Sequence, residues 1–115
     1  MKLNSGVMKS LRDIGTSFRN LKILKALKIG LEQLEGISSF PAITELYLAF
    51  NCISSLSPLI YNDTLEILDL EGNEITEIDE VLYLDMCGSL FSITLEGNPV
   101  AGVSGYREVV FGAIG

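Results

Sequence analysis

The chain has 115 residues, 48% of them apolar, no histidine and a net charge of −7; that length fits one domain around one core and leaves no room for separate catalytic and regulatory units. No apolar run approaches the roughly 18 residues of a membrane span, and no long polar tract argues for disorder. Seven of the eight basic residues fall within 1–28 beside a single acid, Asp13, while the remainder sets Arg107 against fourteen acids, so most of the surface is a poor match for nucleic acid.

The first ten residues, MKLNSGVMKS, have a lysine but no apolar stretch after it, and no secretory leader is expected. Cys52 and Cys87 form no spaced framework, which makes a reducing, intracellular and cytoplasmic setting the expectation. Residues 1–20 read as an N-terminal cap. Within them Val7, Leu11, Ile14 and Phe18 recur at roughly helical intervals and would cover the core face exposed at the start of residues 21–42.

From residue 21 onward the chain repeats itself. LKILKALKIGLEQLEGISSFPA, ITELYLAFNCISSLSPLIYNDT, LEILDLEGNEITEIDEVLYLDMCGS and LFSITLEGNPV begin at Leu21, Ile43, Leu65 and Leu90, with spacings of 22, 22 and 25 residues. This spacing defines repeats over 21–42, 43–64, 65–89 and 90–102. Each puts apolar residues at its first, fourth and sixth positions, as in Leu65, Leu68 and Leu70. Positions four and six share one side of a short strand and so face one core. Asparagine then occupies the ninth position as Asn51, Asn73 and Asn98, whereas the first repeat has Ile29. An inward asparagine can satisfy the peptide groups of a buried turn, so these three predict a structural ladder.

After the turn, apolar residues recur about every three (Ile53, Leu56, Leu59; Ile75, Ile78, Val81, Leu84), which suits tight or helical returns. Ser57-Pro58 reads as an N-cap followed by proline at the first helical position. Asp79 is expected to cap a short helix running to Met86 and ended by Gly88. In residues 103–115, Tyr106, Val109, Val110, Ala113 and Ile114 lie on one face of a helix that would close the last repeat. An α/β solenoid results. A doubly wound α/β sheet would need longer helices between strands than these returns can hold.

The pattern LxxLxLxxN with a 22-residue period resembles the leucine-rich repeat, in the short form of intracellular regulatory and ciliary proteins. That resemblance implies a short parallel sheet on the concave side, 3-10 or helical returns on the convex side, and helical caps. GYREVV, following Asn98-Pro99, resembles the terminal cap of such proteins, but the chain stops at Gly115 where that cap usually continues with a proline and another apolar stretch. The phrases SLRDIGTSF, GISSF, ELYLAFNCISSLSPL, LEILDLEGNEI, VLYLDMC, ITLEGNPV and YREVV together resemble leucine-rich-repeat ciliary proteins that associate with intraflagellar transport and help deliver outer dynein arms. The implied partner is an intraflagellar-transport or dynein-arm component, in a cilium or flagellum. Phosphatase-regulatory repeat proteins and the leucine-rich-repeat light chain of outer-arm dynein are similar in their repeats too. A regulatory subunit of an enzyme such as a protein phosphatase is therefore the second reading.

Chemistry is thinly represented. Without histidine the commonest general base and metal ligand is missing, and two cysteines offer too few donors for zinc. EGNEITEIDE lacks the alternating ligands and terminal bidentate glutamate of a calcium loop. Asp69 and Glu71 sit on an open strand face, without the differentiated environments that acid–base catalysis needs. The expectation is a non-catalytic protein with no cofactor, no metal and no small-molecule substrate, binding neither nucleic acid nor membrane.

A protein partner would meet the residues that the period turns away from the core. One column holds Ile23, Glu45, Ile67 and Ser92; the next exposed column holds Lys25, Tyr47, Asp69 and Thr94. Beyond them come Leu27, Ala49, Glu71 and Glu96, and then Lys28, Phe50, Gly72 and Gly97. Lys25, Glu45, Tyr47, Phe50, Ile67, Asp69, Glu71 and Glu96 are the candidate binding residues, on a face running from basic through aromatic to acidic. The convex returns, with Tyr61 and Tyr83, are the rival surface.

Overall fold

The computed structural model describes residues 2–3, 9–14, 18–60 and 62–114. Val7, Tyr61 and Gly115 lie outside the described residues, as do the side chains of Ile14, Ala113 and Ile114. Among the described residues five short strands form one parallel sheet in chain order: β1 (Lys2–Leu3), β2 (Ile23–Ala26), β3 (Glu45–Tyr47), β4 (Ile67–Asp69) and β5 (Ser92–Thr94). The register pairs Ile23 with Glu45, Ile67 and Ser92, and Lys25 with Tyr47, Asp69 and Thr94. These are the columns that the repeat spacing lays out.

No single repeat can bury its own apolar edge, so stability comes from stacking. Leu24, Ala26, Leu46, Leu48, Leu68 and Leu70 point inward from successive strands and are fully buried. They meet Leu34, Leu56, Leu59, Val81 and Leu84 from the returns. In β5 the equivalent pair is less enclosed: Leu95 is buried, but Ile93 is half-buried against the core.

The asparagines work across repeats. Asn51 Oδ1 accepts from the amides of Ile29 (3.0 Å) and Leu31 (3.1 Å), while its Nδ2 donates to the carbonyls of Ala26 (2.7 Å) and Leu48 (2.9 Å). Asn73 accepts from the Ile53 amide and donates to Leu48 and Leu70, and Asn98 accepts from Ile75 and donates to Leu70 and Leu95. Each asparagine thus holds its own turn and the turn of the repeat before it. The first repeat has buried Ile29 at this position, and its turn is held by Asn51.

A second ladder joins the turns. Cys52 N donates to Leu31 O, and Glu74 N to Ile53 O. In the fourth repeat the corresponding residue is Pro99, which has no amide hydrogen, and the Val100 amide donates to Ile75 O instead, at 2.9 Å.

The described part of the N-terminal segment adds a strand and a short 3-10 turn to the first repeat. Lys2–Leu3 pairs with Lys25 and Ala26, extending the sheet, and among the described residues of 7–20 the helical structure is one 3-10 turn, Leu11–Ile14. The described residues of this segment pack on the first repeat as a further return would: Ser10 bridges to Gln33, Arg12 N donates to Glu35 O, and Glu32 N donates to Lys9 O. Leu11 is fully buried, and the Phe18 ring stacks on buried Phe40 with centroids 5.8 Å apart. Two strand residues are too few to show a sequence period, which is why β1 is invisible in the pattern.

The returns are 3-10 turns at Ile37–Ser39, Ser57–Leu59 and Pro99–Gly102. The larger third return holds α1 (Ile78–Leu82), continued by a 3-10 turn, Tyr83–Met86. Two capping expectations are corrected. Ser57 is the first residue of its turn, Leu56 precedes it at the cap with no side-chain cap bond, and the orphan Leu56 amide donates to Glu80 Oε1 of the next repeat at 2.7 Å. Glu77 rather than Asp79 occupies the cap of α1, and Asp79 stands in its first turn, where a carboxylate is favoured by the helix dipole. At the C-terminal end α2 (Tyr106–Ile114) lies on α1, β5 and the neighbouring 3-10 turns, with Tyr106, Val109 and Val110 packed against the core.

Candidate protein-binding surface

The exposed face of the sheet consists of what strand alternation leaves outside the core. On β2, Lys25 is exposed; on β3, Glu45 and Tyr47 are half-buried; on β4, Ile67 and Asp69 are half-buried. Just past the strands Phe50 and Glu96 are exposed and Glu71 is half-buried. All eight predicted binding residues therefore reach one surface. Ala49, expected on the same face, is buried instead, because the chain has begun its turn there and the twofold alternation no longer holds.

The turn is left-handed at each repeat. Lys28 (φ 55°), Phe50 (φ 60°), Gly72 (φ 67°) and Gly97 (φ 80°) occupy one column, and Phe50 N still donates to Glu71 O, and Gly72 N to Glu96 O, of the following repeat. Glycine takes this conformation freely, whereas a side chain costs about 1–2 kcal/mol there. Two repeats thus retain a costly residue at a position where the other two have glycine. Phe50 keeps 46% of its surface exposed, so burial does not account for the ring.

Neighbouring repeats are tied within these columns by contacts that sequence reasoning missed. Lys25 Nζ lies 5.4 Å from the Tyr47 ring centroid, and Lys28 Nζ lies 5.4 Å from that of Phe50, both within cation–π range. The Tyr47 hydroxyl donates to Glu45 Oε1 at 2.6 Å. That bond, followed by desolvation and the charges of Glu45 and Asp69, pushes the Tyr47 phenol above its ordinary pKa. The repeat register supplied the signal for the lysine–aromatic pairs, since each lysine stands 22 residues before its ring.

The charge order along the face is lysines at repeat one, aromatics at repeat two, and Asp69, Glu71 and Glu96 at repeats three and four. Asp69 Oδ1 accepts from the Glu71 amide at 3.1 Å. Among the described residues the one ion pair joins Arg12 to Glu35 at 3.0 Å, away from this acidic end. The cysteines stand elsewhere: Cys52 is exposed in a turn, its thiol pushed up chiefly by a bond to Glu74, and Cys87 is buried, its thiol pushed by desolvation to about 11. Among the described residues no cluster of three or more metal-ligating side chains is assembled, and no helix is long and apolar enough to cross a membrane.

No family model matches the chain. Its sequence is similar to human leucine-rich repeat-containing protein 56, with 49% identity over 100 residues that make up 87% of this chain and 18% of that protein. It is also similar to the Trypanosoma brucei brucei homolog of that protein, with 35% identity over 88% of this chain and 14% of the relative. Among solved structures, a chain of the Drosophila melanogaster SNF/U2A′ complex superposes with a TM-score of 0.71 at 25% identity, covering 78% of this chain and 53% of that one. The chain spans less than a fifth of the length of these two sequence relatives. With its period, asparagine ladder and parallel sheet, the chain has the leucine-rich-repeat fold, and over most of its length its sequence is similar to the proteins called leucine-rich repeat-containing protein 56.

Proposed function

We propose that this chain is a non-catalytic interaction module that takes a protein partner on its concave sheet and serves as a ciliary or flagellar adaptor for an intraflagellar-transport or dynein-arm component. The observation that carries the binding surface is Phe50, an exposed aromatic ring held on a left-handed backbone. Strain of this kind at a surface position supports a functional reason for the residue, and aromatic residues contribute much of the energy of protein interfaces. The resemblance to ciliary repeat proteins supports the cellular role. The structural neighbour, a chain from the SNF/U2A′ complex, supports the use of this fold in protein assembly.

The test replaces Tyr47, Phe50 and Asp69 together by alanine and measures capture of purified intraflagellar-transport and dynein-arm components. Loss of capture with an unchanged circular dichroism spectrum is expected. Undiminished capture by the folded variant would refute the concave surface. Capture of a phosphatase whose activity changes on binding would favour the regulatory-subunit reading over the adaptor.

A further inference from the structure

The concave face specifies more than a partner of unspecified shape. It displays side chains, not a free strand edge, so an extended segment laid across the strands would depend on scattered side chains to pair its peptide groups. A helix satisfies its own backbone. Neighbouring strands stand about 4.8 Å apart and one helical turn rises about 5.4 Å, so a helix crossing the sheet advances nearly one turn per strand.

Resting on the concave-face reading, we infer that the partner segment is an amphipathic helix laid across β2 to β5, with an acidic side chain over Lys25 and Lys28, apolar side chains over Tyr47 and Phe50, and basic side chains over Glu71 and Glu96. The register of these columns sets the order acid, apolar, base at successive turns. The exposure of Phe50 and half-exposure of Ile67 supply the apolar centre. Glu45 adds a negative charge beside the aromatic centre, with its Oε1 taken up by the Tyr47 hydroxyl. The two lysines rest against aromatic rings, which holds their charge beside the apolar strip.

Because a helix can lie either way across a sheet, its direction is fixed by which of its ends is basic. The test uses the isotope-labelled full chain and a helix-favouring peptide of about fourteen residues. The peptide carries glutamate at i, leucines at i+3 and i+4, lysines at i+7 and i+11, and a spin label at its lysine end. The peptide is expected to bind and to broaden amide signals of β4 and β5. In the variant Lys25→Glu, Lys28→Glu, Glu71→Lys, Glu96→Lys, which leaves the net charge unchanged, the broadening is expected to move to β2. Should Glu71→Lys disturb the fold, Lys25→Glu with Glu96→Lys is read the same way. A peptide of equal composition with its glutamate between the lysines is expected to bind the wild type about tenfold more weakly, as for a few exposed charge pairs. Broadening spread evenly over the sheet, or unmoved in the swapped variant, overturns the charge order and leaves the concave surface standing. No binding overturns the helix and leaves the concave surface to the capture test; shifts confined to the convex returns overturn both.

Discussion

The ring of Phe50 covers Gly72 so closely that a Cβ on the glycine would stand 2.5 Å from Phe50 Cδ1. Gly72 also has φ 67°, so Gly72→Ala combines a backbone penalty of about 1–2 kcal/mol with displacement of the ring. At Gly97 (φ 80°) the nearest atom to a new Cβ is Gly72 N at 3.1 Å, a milder encounter. Urea unfolding should therefore show Gly72→Ala costing more than Gly97→Ala, with the difference shrinking in a Phe50→Ala background. Equal costs in both backgrounds would contradict the packing.

Phe50 offers a way to separate binding from stability. Phe50→Gly relieves the left-handed strain at φ 60° but removes the ring from the surface and loosens the unfolded chain. The expected stability lies between unchanged and about 1 kcal/mol higher, with weaker partner capture. A loss of stability comparable to that of a core truncation, measured by the same unfolding assay, would show that the ring is structural.

The three asparagines should not be equivalent. Asn51 holds two amides, of Ile29 and Leu31, and the carbonyls of Ala26 and Leu48, whereas Asn98 holds one amide and two carbonyls. Each buried group left unpaired costs about 1–3 kcal/mol. Asn51→Ala is expected to destabilise more than Asn98→Ala, each by roughly 3 kcal/mol or more. The reverse order in thermal and chemical unfolding would count against the cross-repeat bonds as the source of the cost.

Alkaline pH should weaken the fold through Cys87. Its thiol is raised from an ordinary 9.0 to about 11 by burial, so the folded state holds the proton more tightly than the unfolded state. Stability is full below the unfolded value and is lost as pH rises from about 9 to about 11. Tyr47, also shifted upward, acts in the same direction. Cys87→Val should flatten the loss between pH 8.5 and 11 as read by unfolding free energy; an unchanged slope would remove Cys87 from the account. Thiol labelling gives a second readout, with exposed Cys52 reacting in the folded protein and Cys87 only on unfolding.

Much of the molecule was legible because stacking makes its geometry periodic. Leu46 and Leu48, one repeat from Leu68 and Leu70, gave both the core and, by exclusion, the exposed columns, and the observed register repeats that spacing. Asn51, Asn73 and Asn98 announced buried turns because a polar residue recurred at a place where only an internal hydrogen bond could support it. What escaped was non-periodic or depended on dihedral angles. Lys2–Leu3 is too short to carry a pattern. The left-handed turn was visible at Gly72 and Gly97 but hidden at Lys28 and Phe50, where the residue type gives no hint of φ. Glu80 reaches the Leu56 amide from another repeat, a contact that no local capping rule describes.

Pro99 changes how the last turn is bonded. In the two preceding repeats, Cys52 and Glu74 each lend an amide to the turn behind, which leaves Ile53 and Ile75 free to be held by the asparagine ahead. Proline has no hydrogen to lend, and Val100 bends back to bond Ile75 in its place. The amide that a following asparagine would grip is already spent. A further repeat grafted behind Val100 would find that amide already bonded to Ile75, so its asparagine oxygen would need a different donor from the one that Asn73 and Asn98 use.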